Sequence, residues 1–408
     1  MSLLHNSKFI IYNAKISFTN FGYTLYMITI PAYSFAFSGS ILFTGITLFV
    51  EYGIYAATSV AGPLVDHVED KRYVIMISEA GIGLSALALG LLIYSHRIDD
   101  LLFLLIVGVI AICWDFIWTA DWVVLPIIVN EDELPRANGY SNAIGNSHVA
   151  AGLGVGGLLF AVLGPYFSII LYSACLFIAA GLTFYLPVVI RKREKSLSEG
   201  FASGWRYVLR TNRPLLYLSL IMAIFSFFSS APALGITSLF AVTSRATYAV
   251  MYSVYYMGTI LVAILLGRFY PRKRVGKTLL LAFICSGLLF APAIVYADYF
   301  AIEIVAWFAL GLALSAYIPL YSTYLQVGTK KEMLGRVASN LYTFRGISSA
   351  VGTLSIPLLI QSYGLDMTFE SAGILIALTA LIIFIAVPQI RNIQLRPDVV
   401  AEKSGNNL

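Results

Sequence analysis

Four ionisable side chains interrupt long apolar runs of this sequence and are its best candidates for chemistry. They are Glu51, Asp115, His148 and Arg345. A charged side chain at the centre of a bilayer costs about 2.5–3.5 kcal/mol on insertion scales, so it needs a partner, a cavity or a task. Because burial disfavours the charged form of a carboxyl group, Asp115 could take up and release a proton near neutral pH. The pattern predicts a polar cavity that binds a substrate, a proton or both.

A second aspartate, Asp121, follows Asp115 in the same run, "CWDFIWTADW". Six residues turn a helix by about 240°, so the two carboxylates cannot share one face. Asp121 lies only about 10 Å from the predicted end of the span, and we predict that it is an ion-pair partner of Lys71 or Arg72. Glu79, near the start of the third run, is predicted to reach the membrane interface along its aliphatic stem.

The composition places these side chains in a membrane. The chain has 408 residues, of which 59% are hydrophobic and 12% are charged. A soluble domain averages about 25% charged residues, so the solvent of this chain must largely be lipid. Three separate cysteines and four scattered histidines form neither a disulfide framework nor a metal site, and no cofactor is expected. A phosphate-binding Gly-x-x-x-x-Gly-Lys-Ser/Thr loop does not occur, which argues against ATP as the drive.

Apolar runs of spanning length recur along the whole chain. A helix needs about 20 apolar residues to cross about 30 Å of hydrocarbon, and the runs are too long and continuous for barrel strands. The predicted fold class is therefore an all-α membrane protein with twelve transmembrane helices. The twelve candidate spans are residues 9–36, 41–63, 73–95, 101–128, 139–163, 166–188, 214–241, 248–268, 278–297, 300–327, 337–361 and 368–390.

The basic residues orient these spans. The side that holds both termini carries 23 of the 26 Lys and Arg residues, and such an excess is typical of the cytoplasmic side. We therefore expect a multi-pass protein of the cell membrane with both termini in the cytoplasm. The longest hydrophilic stretch separates two six-helix halves. The predicted parts are an N-terminal bundle (1–190), a cytoplasmic linker (191–213), a C-terminal bundle (214–390) and a cytoplasmic tail (391–408).

The two halves repeat one another in sequence. Gly62 opens "GPLVDHVEDKR" after the second span, and Gly267 opens "GRFYPRKRVGK" after the eighth, 205 residues later. Arg136 and Arg336, in the loops after the fourth and tenth spans, are 200 residues apart, and half of the chain is 204 residues. Two related six-helix halves around a central site are a plan typical of secondary transporters, so we predict two pseudo-symmetric bundles.

The loop after the second span resembles the signature loop of the major facilitator superfamily. The matching residues are Gly62, Leu64, Asp66, Lys71 and Arg72. His67 and Glu69 stand where the family usually has Arg and Gly, and Pro271 replaces the aspartate of the second copy. The stretches "NEDELPRANGYSNA" and "LQVGTKKEMLGRVAS" further resemble the branch that includes macrolide-efflux and siderophore-export proteins.

This resemblance implies roles for two groups of residues. Glu51, Asp115, His148 and Arg345 would lie on helices that face the central cavity. The signature loop would act as a conformational latch between the two halves on the cytoplasmic side. The latch residues would be Gly62, Asp66, Lys71, Arg72 and Asp121.

The fifth span departs from the exporter pattern and leaves the direction of transport open. Exporters of this superfamily often carry Gly-Pro-x-x-Gly-Gly there, whereas this chain reads "GLGVGG" with Leu153 in the proline position. Gly152 and Gly156, followed by Gly157, form a small-residue face that lets two helices approach closely. That face is either a static packing surface or a sliding one.

The leading hypothesis is a monomeric secondary transporter that moves a small amphipathic organic compound by alternating access, in proton-coupled efflux. Its expected partners are the small-molecule substrate, the proton and membrane lipid, with no nucleic acid. A proton-coupled importer of a small metabolite is the first alternative. An integral-membrane enzyme would need a clustered catalytic set, and a non-transporting receptor would usually bring a soluble signalling domain. Neither feature is present in the sequence, so we do not expect an enzyme.

Overall fold

In the computed structural model, the chain divides into two compact units. Unit 1 comprises residues 1–195 and 236–253, and unit 2 comprises 196–235 and 254–408. The regular elements of the described residues are helices. The structure describes residues 5–55, 68–121, 124–129, 134–187, 197–228, 230–240, 244–268, 274–295, 299–317, 320–321, 324–325, 329 and 331–393.

The first 187 residues supply six helices of unit 1: α1 (Ser7–Ser38), α2 (Ile41–Tyr55), α3 (Lys71–Tyr94), α4 (Asp100–Asp121), α5 (Leu125–Ile128) and α6 (Leu134–Phe184). The rest of the chain contributes α7 (Leu197–Arg210), α8 (Arg213–Phe228), α9 (Ala231–Phe240), α10 (Arg245–Arg268), α11 (Val275–Phe290), α12 (Pro292–Val295), α13 (Phe300–Ser315), α14 (Lys331–Tyr363), α15 (Leu365–Ala386) and α16 (Pro388–Arg391).

Seven stretches of the described residues are long and apolar enough to cross a membrane: Lys71–Tyr94, Asp100–Asp121, Val155–Phe184, Leu215–Leu239, Ala246–Leu266, Thr343–Tyr363 and Leu365–Ala386. Three shorter apolar helices accompany them: Ile41–Ile54, Val275–Phe290 and Phe300–Ser315. The predicted class, an all-α membrane protein, is confirmed. The arrangement is consistent with twelve transmembrane helices in two six-helix bundles.

Local sequence signals set the ends of the helices that carry the site. Asn6 caps α1, because its side chain accepts hydrogen bonds from the backbone N–H groups of Lys8 and Phe9. Asp70 caps α3 in the same way, through the N–H of Arg72. Each cap satisfies donors that the first turn of a helix leaves without partners. Both helices therefore begin at defined residues, and this fixes the height of the side chains along them.

One residue, Gly164, joins the two arms of α6. Its φ of 80° and ψ of −176° break the helix between the fifth and sixth predicted spans, and Pro165 starts the second arm. Only glycine adopts this backbone conformation readily. Gly364, 200 residues later, has a φ of 82° and precedes α15. Ser168 and Thr368 donate their hydroxyl groups to the carbonyls of Gly164 and Gly364, at 3.1 and 2.7 Å.

Helix packing repeats between the units as well. In unit 1, α3 packs on the second arm of α6, and a Cβ added to Gly83 would lie 3.2 Å from the ring of Phe177. In unit 2, α11 packs on α15, and a Cβ added to Gly287 would lie 2.8 Å from the Cβ of Ala377. The two glycines are 204 residues apart and their partners 200 apart. The sequence repeat is thus a repeat of packing positions.

The small-residue face of α6 lies against α1. A Cβ added to Gly152 would lie 2.8 Å from the Cβ of Thr24, and one added to Gly156 would lie 2.6 Å from Cδ2 of Leu25. Gly157 points elsewhere, toward Ala249 in the first turns of α10. The close approach of α1 and α6 depends on hydrogen atoms at Gly152 and Gly156.

We expect Gly152→Ala to destabilise unit 1 by about 1–3 kcal/mol, because the Cβ of Thr24 is fixed to its backbone and cannot move aside. Gly181→Ala is the matched control on the same helix, since a Cβ there meets nothing within 4 Å. Alanine at Gly181 should leave stability unchanged or raise it by up to about 1 kcal/mol. Thermal unfolding of the purified variants in detergent measures the difference, and equal melting temperatures would contradict the packing argument.

Candidate functional site

Asp115 and Glu51 lie in the interior of unit 1. Asp115 on α4 is 3% exposed and Glu51 on α2 is 8% exposed. Helices α2 and α4 pack together, and a Cβ added to Gly108 would meet Val50 at 3.5 Å. Gly108 and Asp115 are seven residues apart, which places them on one face of α4 and about 10 Å apart along it. Asp115 therefore lies on the face of α4 that packs on α2, and Glu51 follows the α2 residue that meets this face.

An aromatic cluster in the core of unit 1 includes Trp114, the residue before Asp115. The indole N–H of Trp114 donates to the hydroxyl of Tyr172 at 2.8 Å, and the ring of Tyr23 meets Trp114 edge-on with centroids 4.9 Å apart. Tyr26 packs against Tyr172 at 5.2 Å. Helices α1, α4 and α6 supply these rings, and Tyr26, Trp114 and Tyr172 are buried in the hydrophobic core of unit 1. The cluster therefore holds the three helices together through aromatic packing with polar hydroxyl groups within it.

His148 is half-buried on α6 and bonded to its own helix. Its Nδ1 lies 2.8 Å from the carbonyl oxygen of Ile144, one turn earlier. A carbonyl oxygen only accepts, so Nδ1 carries the hydrogen and Nε2 is the nitrogen available to other groups. This bond satisfies one ring nitrogen locally, which is the usual state of a packed histidine.

Arg345 lies on α14 in unit 2. Its Nε donates to the Ser226 hydroxyl at 3.3 Å and its Nη2 to the Tyr317 hydroxyl at 3.2 Å. The guanidinium also lies 5.7 Å from the centre of the Tyr317 ring. Phe225 packs edge-on against that ring at 4.4 Å. The arginine is thus held in place by the hydroxyl groups of Ser226 on α8 and of Tyr317.

The structure also brings three charged side chains into contact that the sequence does not show to be neighbours. Lys15 on α1 lies 2.7 Å from Oδ2 of Asp121 on α4 and 3.3 Å from Oε1 of Glu79 on α3. The side chains of Lys15 and Glu79 are 0% exposed, and that of Asp121 is 23% exposed. Thr183 on α6 donates to Oε2 of Glu79 at 2.7 Å. We call Lys15, Glu79 and Asp121 the unit 1 triad.

Two predictions about these residues were wrong. Asp121 pairs with Lys15, and Arg72 pairs instead with Asp70, its own cap, at 2.7 Å. Glu79 does not reach the membrane interface, because its side chain is fully buried in the unit 1 triad. The physical reason is the same in both cases: a lysine from α1 enters the bundle between α3 and α4 and attracts both acids.

The latch residues are placed only in part. Gly62 and Asp66 lie outside the described residues. Lys71 is buried, and its Nζ donates to the carbonyl oxygen of Val68 at 2.7 Å. Arg72 also donates to the carbonyl oxygen of Leu186 at 2.9 Å, which ties the start of α3 to the end of α6. Among the described residues, no three His, Cys, Asp or Glu side chains are grouped to hold a metal ion.

Comparisons with known proteins identify a matching family model and solved structures with a similar fold. The family model described as "Major Facilitator Superfamily" matches residues 16–353 and again 216–401. No curated protein matches the sequence significantly. Among solved structures, the chain resembles the nucleoside transporter NupG at 12% identity, with a TM-score of 0.74 over 93% of this chain and 99% of that one. A POT family transporter in complex with 5-aminolevulinic acid is similar at 11% identity, with a TM-score of 0.77 over 96% and 98%.

The architecture and the family model together define a multi-pass membrane transporter, and not an enzyme. The chain belongs to the major facilitator superfamily. The structural likenesses, at 11–12% identity, show the shared fold and carry no substrate across.

Proposed function

We propose that this protein exports a small amphipathic organic compound in exchange for protons, by alternating access. The observation that carries the proposal is the pair of buried carboxyl groups, Asp115 and Glu51, on the packed helices α2 and α4. A carboxyl group buried in a membrane bundle is costly unless it has a task, and binding a proton reversibly is a task that only an ionisable group performs. The sequence resemblance to the macrolide-efflux and siderophore-export branch supports the choice of export.

The buried carboxyl group also supports an organic substrate with a polar part. Asp115 lies on a helix that is largely apolar, and Trp114, the residue before it, belongs to an aromatic cluster with Tyr23 and Tyr172. A substrate with an apolar part and a polar or cationic part would place its polar part near Asp115. His148 and Arg345 are proposed as further polar contacts of the transport cycle. The loop with Gly62, Asp66, Lys71 and Arg72 is proposed as the conformational latch, and residues 191–213 as the linker between the bundles at 1–190 and 214–390.

Transport in proteoliposomes with an imposed pH gradient tests this proposal. A panel of amphipathic cations, neutral aromatics and small metabolites is loaded, and the flux of each compound is followed with and without the gradient. Export predicts that a compound moves against its own gradient in the direction opposite to that of the protons. Movement together with the protons would select the importer instead. If the flux of every transported compound were the same with and without the pH gradient, proton coupling would be contradicted.

The proposed orientation has its own test at Ser198, on α7. In a chain with Cys113, Cys175 and Cys285 replaced, Ser198→Cys should not react with a membrane-impermeant thiol reagent in intact cells and should react after permeabilisation, because the linker is expected in the cytoplasm. Arg97→Cys, at an exposed residue that follows α3, is the matched control and should react in intact cells. The reverse pattern would place both termini outside.

A further inference from the structure

The unit 1 triad contains more negative than positive charge. Lys15 supplies one ammonium group, whereas Glu79 and Asp121 supply two carboxyl groups, all in the interior of one bundle. Two carboxylates that share a buried site repel one another, and a single cation compensates only one of them. Binding one proton removes the excess charge. Because the groups are coupled, such a proton belongs to the pair and not to either residue alone.

Within the described part of the chain, the hydrogen bonds of the triad leave one carboxylate oxygen without a donor. Glu79 accepts from Thr183 at 2.7 Å and from Thr19 at 3.4 Å, in addition to its contact with Lys15. Asp121 uses Oδ2 for Lys15, and its Oδ1 is buried without a hydrogen-bond partner among the residues that the structure describes. A buried carboxylate oxygen without a donor is costly, and protonation lowers that cost because it removes the charge.

Among the described residues, Lys15 is the cation that contacts Glu79 and Asp121. Tyr12 on α1 is a further titratable group close to Asp121. The groups that act on Lys15 are Glu79 and Asp121, and α6 contributes only the neutral hydroxyl of Thr183 to Glu79. Asp121, the last residue of α4, is the one member of the triad whose side chain is partly exposed.

Unit 2 shows that the fold does not need these charges. The positions 204 residues after Lys15 and Glu79 and 200 residues after Asp121 are Ser219, Phe283 and Tyr321. All three are buried, and the Ser219 hydroxyl lies 3.4 Å from the Tyr321 hydroxyl, at the contact that corresponds to Lys15 with Asp121. Neutral residues therefore fill the same packing positions, so the charges of unit 1 serve a purpose other than holding a bundle together.

We propose that Lys15, Glu79 and Asp121 form a proton-binding site, separate from Asp115, that binds one proton between its two carboxyl groups. The inference deepens the proposed proton coupling by adding a second proton site, at the end of unit 1 to which α1 brings its first turns. When the triad binds a proton, Lys15 pairs with one carboxylate instead of two. The contacts of α4 with α1 and α3 therefore change.

Infrared difference spectroscopy of the purified protein between acid and alkaline pH tests the site, since a protonated carboxyl group has its own C=O band. We expect Glu79→Gln and Asp121→Asn each to lose one such band that the unaltered protein shows. Asp115→Asn and Asp100→Asn, the latter at an exposed residue of α4, should keep it. The fully neutral combination of Lys15→Met, Glu79→Gln and Asp121→Asn resembles unit 2, where neutral residues occupy the corresponding positions. It should therefore fold even if one of the single variants does not.

The proposal is overturned if the fully neutral variant shows the same carboxyl bands as the unaltered protein, or if both single triad variants retain them in full. It is supported if the fully neutral variant lacks one band that Asp115→Asn keeps. The measurement uses neither substrate nor gradient. Failure at the triad therefore leaves the coupling role of Asp115 untouched, and failure of coupled transport leaves the triad result standing.

Discussion

Lys15→Met is expected to destabilise unit 1 by about 3–5 kcal/mol, because it leaves two buried carboxyl groups without their shared cation. The loss should be smaller at about pH 5 than at about pH 8. The buried carboxyl groups of the folded variant keep their protons at pH values at which the same groups of the unfolded chain are ionised, so the stability of the variant falls as pH rises. Adding Glu79→Gln and Asp121→Asn to Lys15→Met should restore most of the stability, because no uncompensated charge remains. Chemical or thermal unfolding in detergent at both pH values measures each change.

Lys8→Met is the matched control for this prediction. Lys8 lies on the same helix, two turns earlier, and is exposed. Its replacement should change stability by no more than about 0.5 kcal/mol at either pH. If Lys15→Met were as mild as Lys8→Met, the ion pairs would contribute little to the bundle, and the charge-balance argument would lose its basis.

Asp115→Asn is expected to abolish accumulation driven by a pH gradient while leaving much of the exchange of substrate without a gradient. Asparagine keeps the size and the hydrogen-bonding capacity of the side chain but cannot bind and release a proton. Exchange requires only substrate binding and the change between inward- and outward-facing states, whereas accumulation requires the proton. Paired measurements of driven uptake and equilibrium exchange in the same vesicles separate the two effects. We expect driven transport to fall at least about tenfold more than exchange, which corresponds to about 1.4 kcal/mol of lost coupling.

Asp100→Asn is the control on the same helix, since Asp100 is exposed at the first residue of α4. It should leave both rates unchanged. Full gradient-driven transport by Asp115→Asn would assign the deep carboxyl group a structural role, and Glu51→Gln would then be the variant to test for coupling. Equal loss of driven uptake and exchange would instead indicate that Asp115 binds the substrate.

The sequence was sufficient for the fold because the fold depends on properties that single residues show directly. Long apolar runs predicted the helices, and the repeat between Gly62 and Gly267 predicted two related halves. The spacing of Gly152 and Gly156 marks a small-residue face on α6, although it does not say which helix lies against it. None of these features depends on which helices are neighbours.

The pairing of charges depends on which helices are neighbours, and there the sequence was not sufficient. By sequence Lys15 is one more basic residue on the side of the termini, but in the structure it lies about 12 Å from the start of α1. Glu79 lies about as far from the start of α3, and Asp121 is at a similar predicted depth. Opposite charges at equal depth in three spans were a signal that could have found the triad. The choice between Lys15 and Arg72 as the partner of Asp121 still required the three-dimensional structure, which shows that the side chain of Lys15 reaches both α3 and α4.

The single-residue joint at Gly164 has a mechanical consequence. A long loop would let the two arms of α6 tilt independently, but one glycine in a narrow region of backbone conformations leaves no slack chain between them. The first arm packs on α1 and the second on α3, so a tilt of either arm is passed to both of these helices. Gly364 repeats the joint in unit 2. A displacement of one helix in either bundle therefore moves the helices packed on it as well. A change of charge in the interior of a bundle can in this way shift helix positions at its other end.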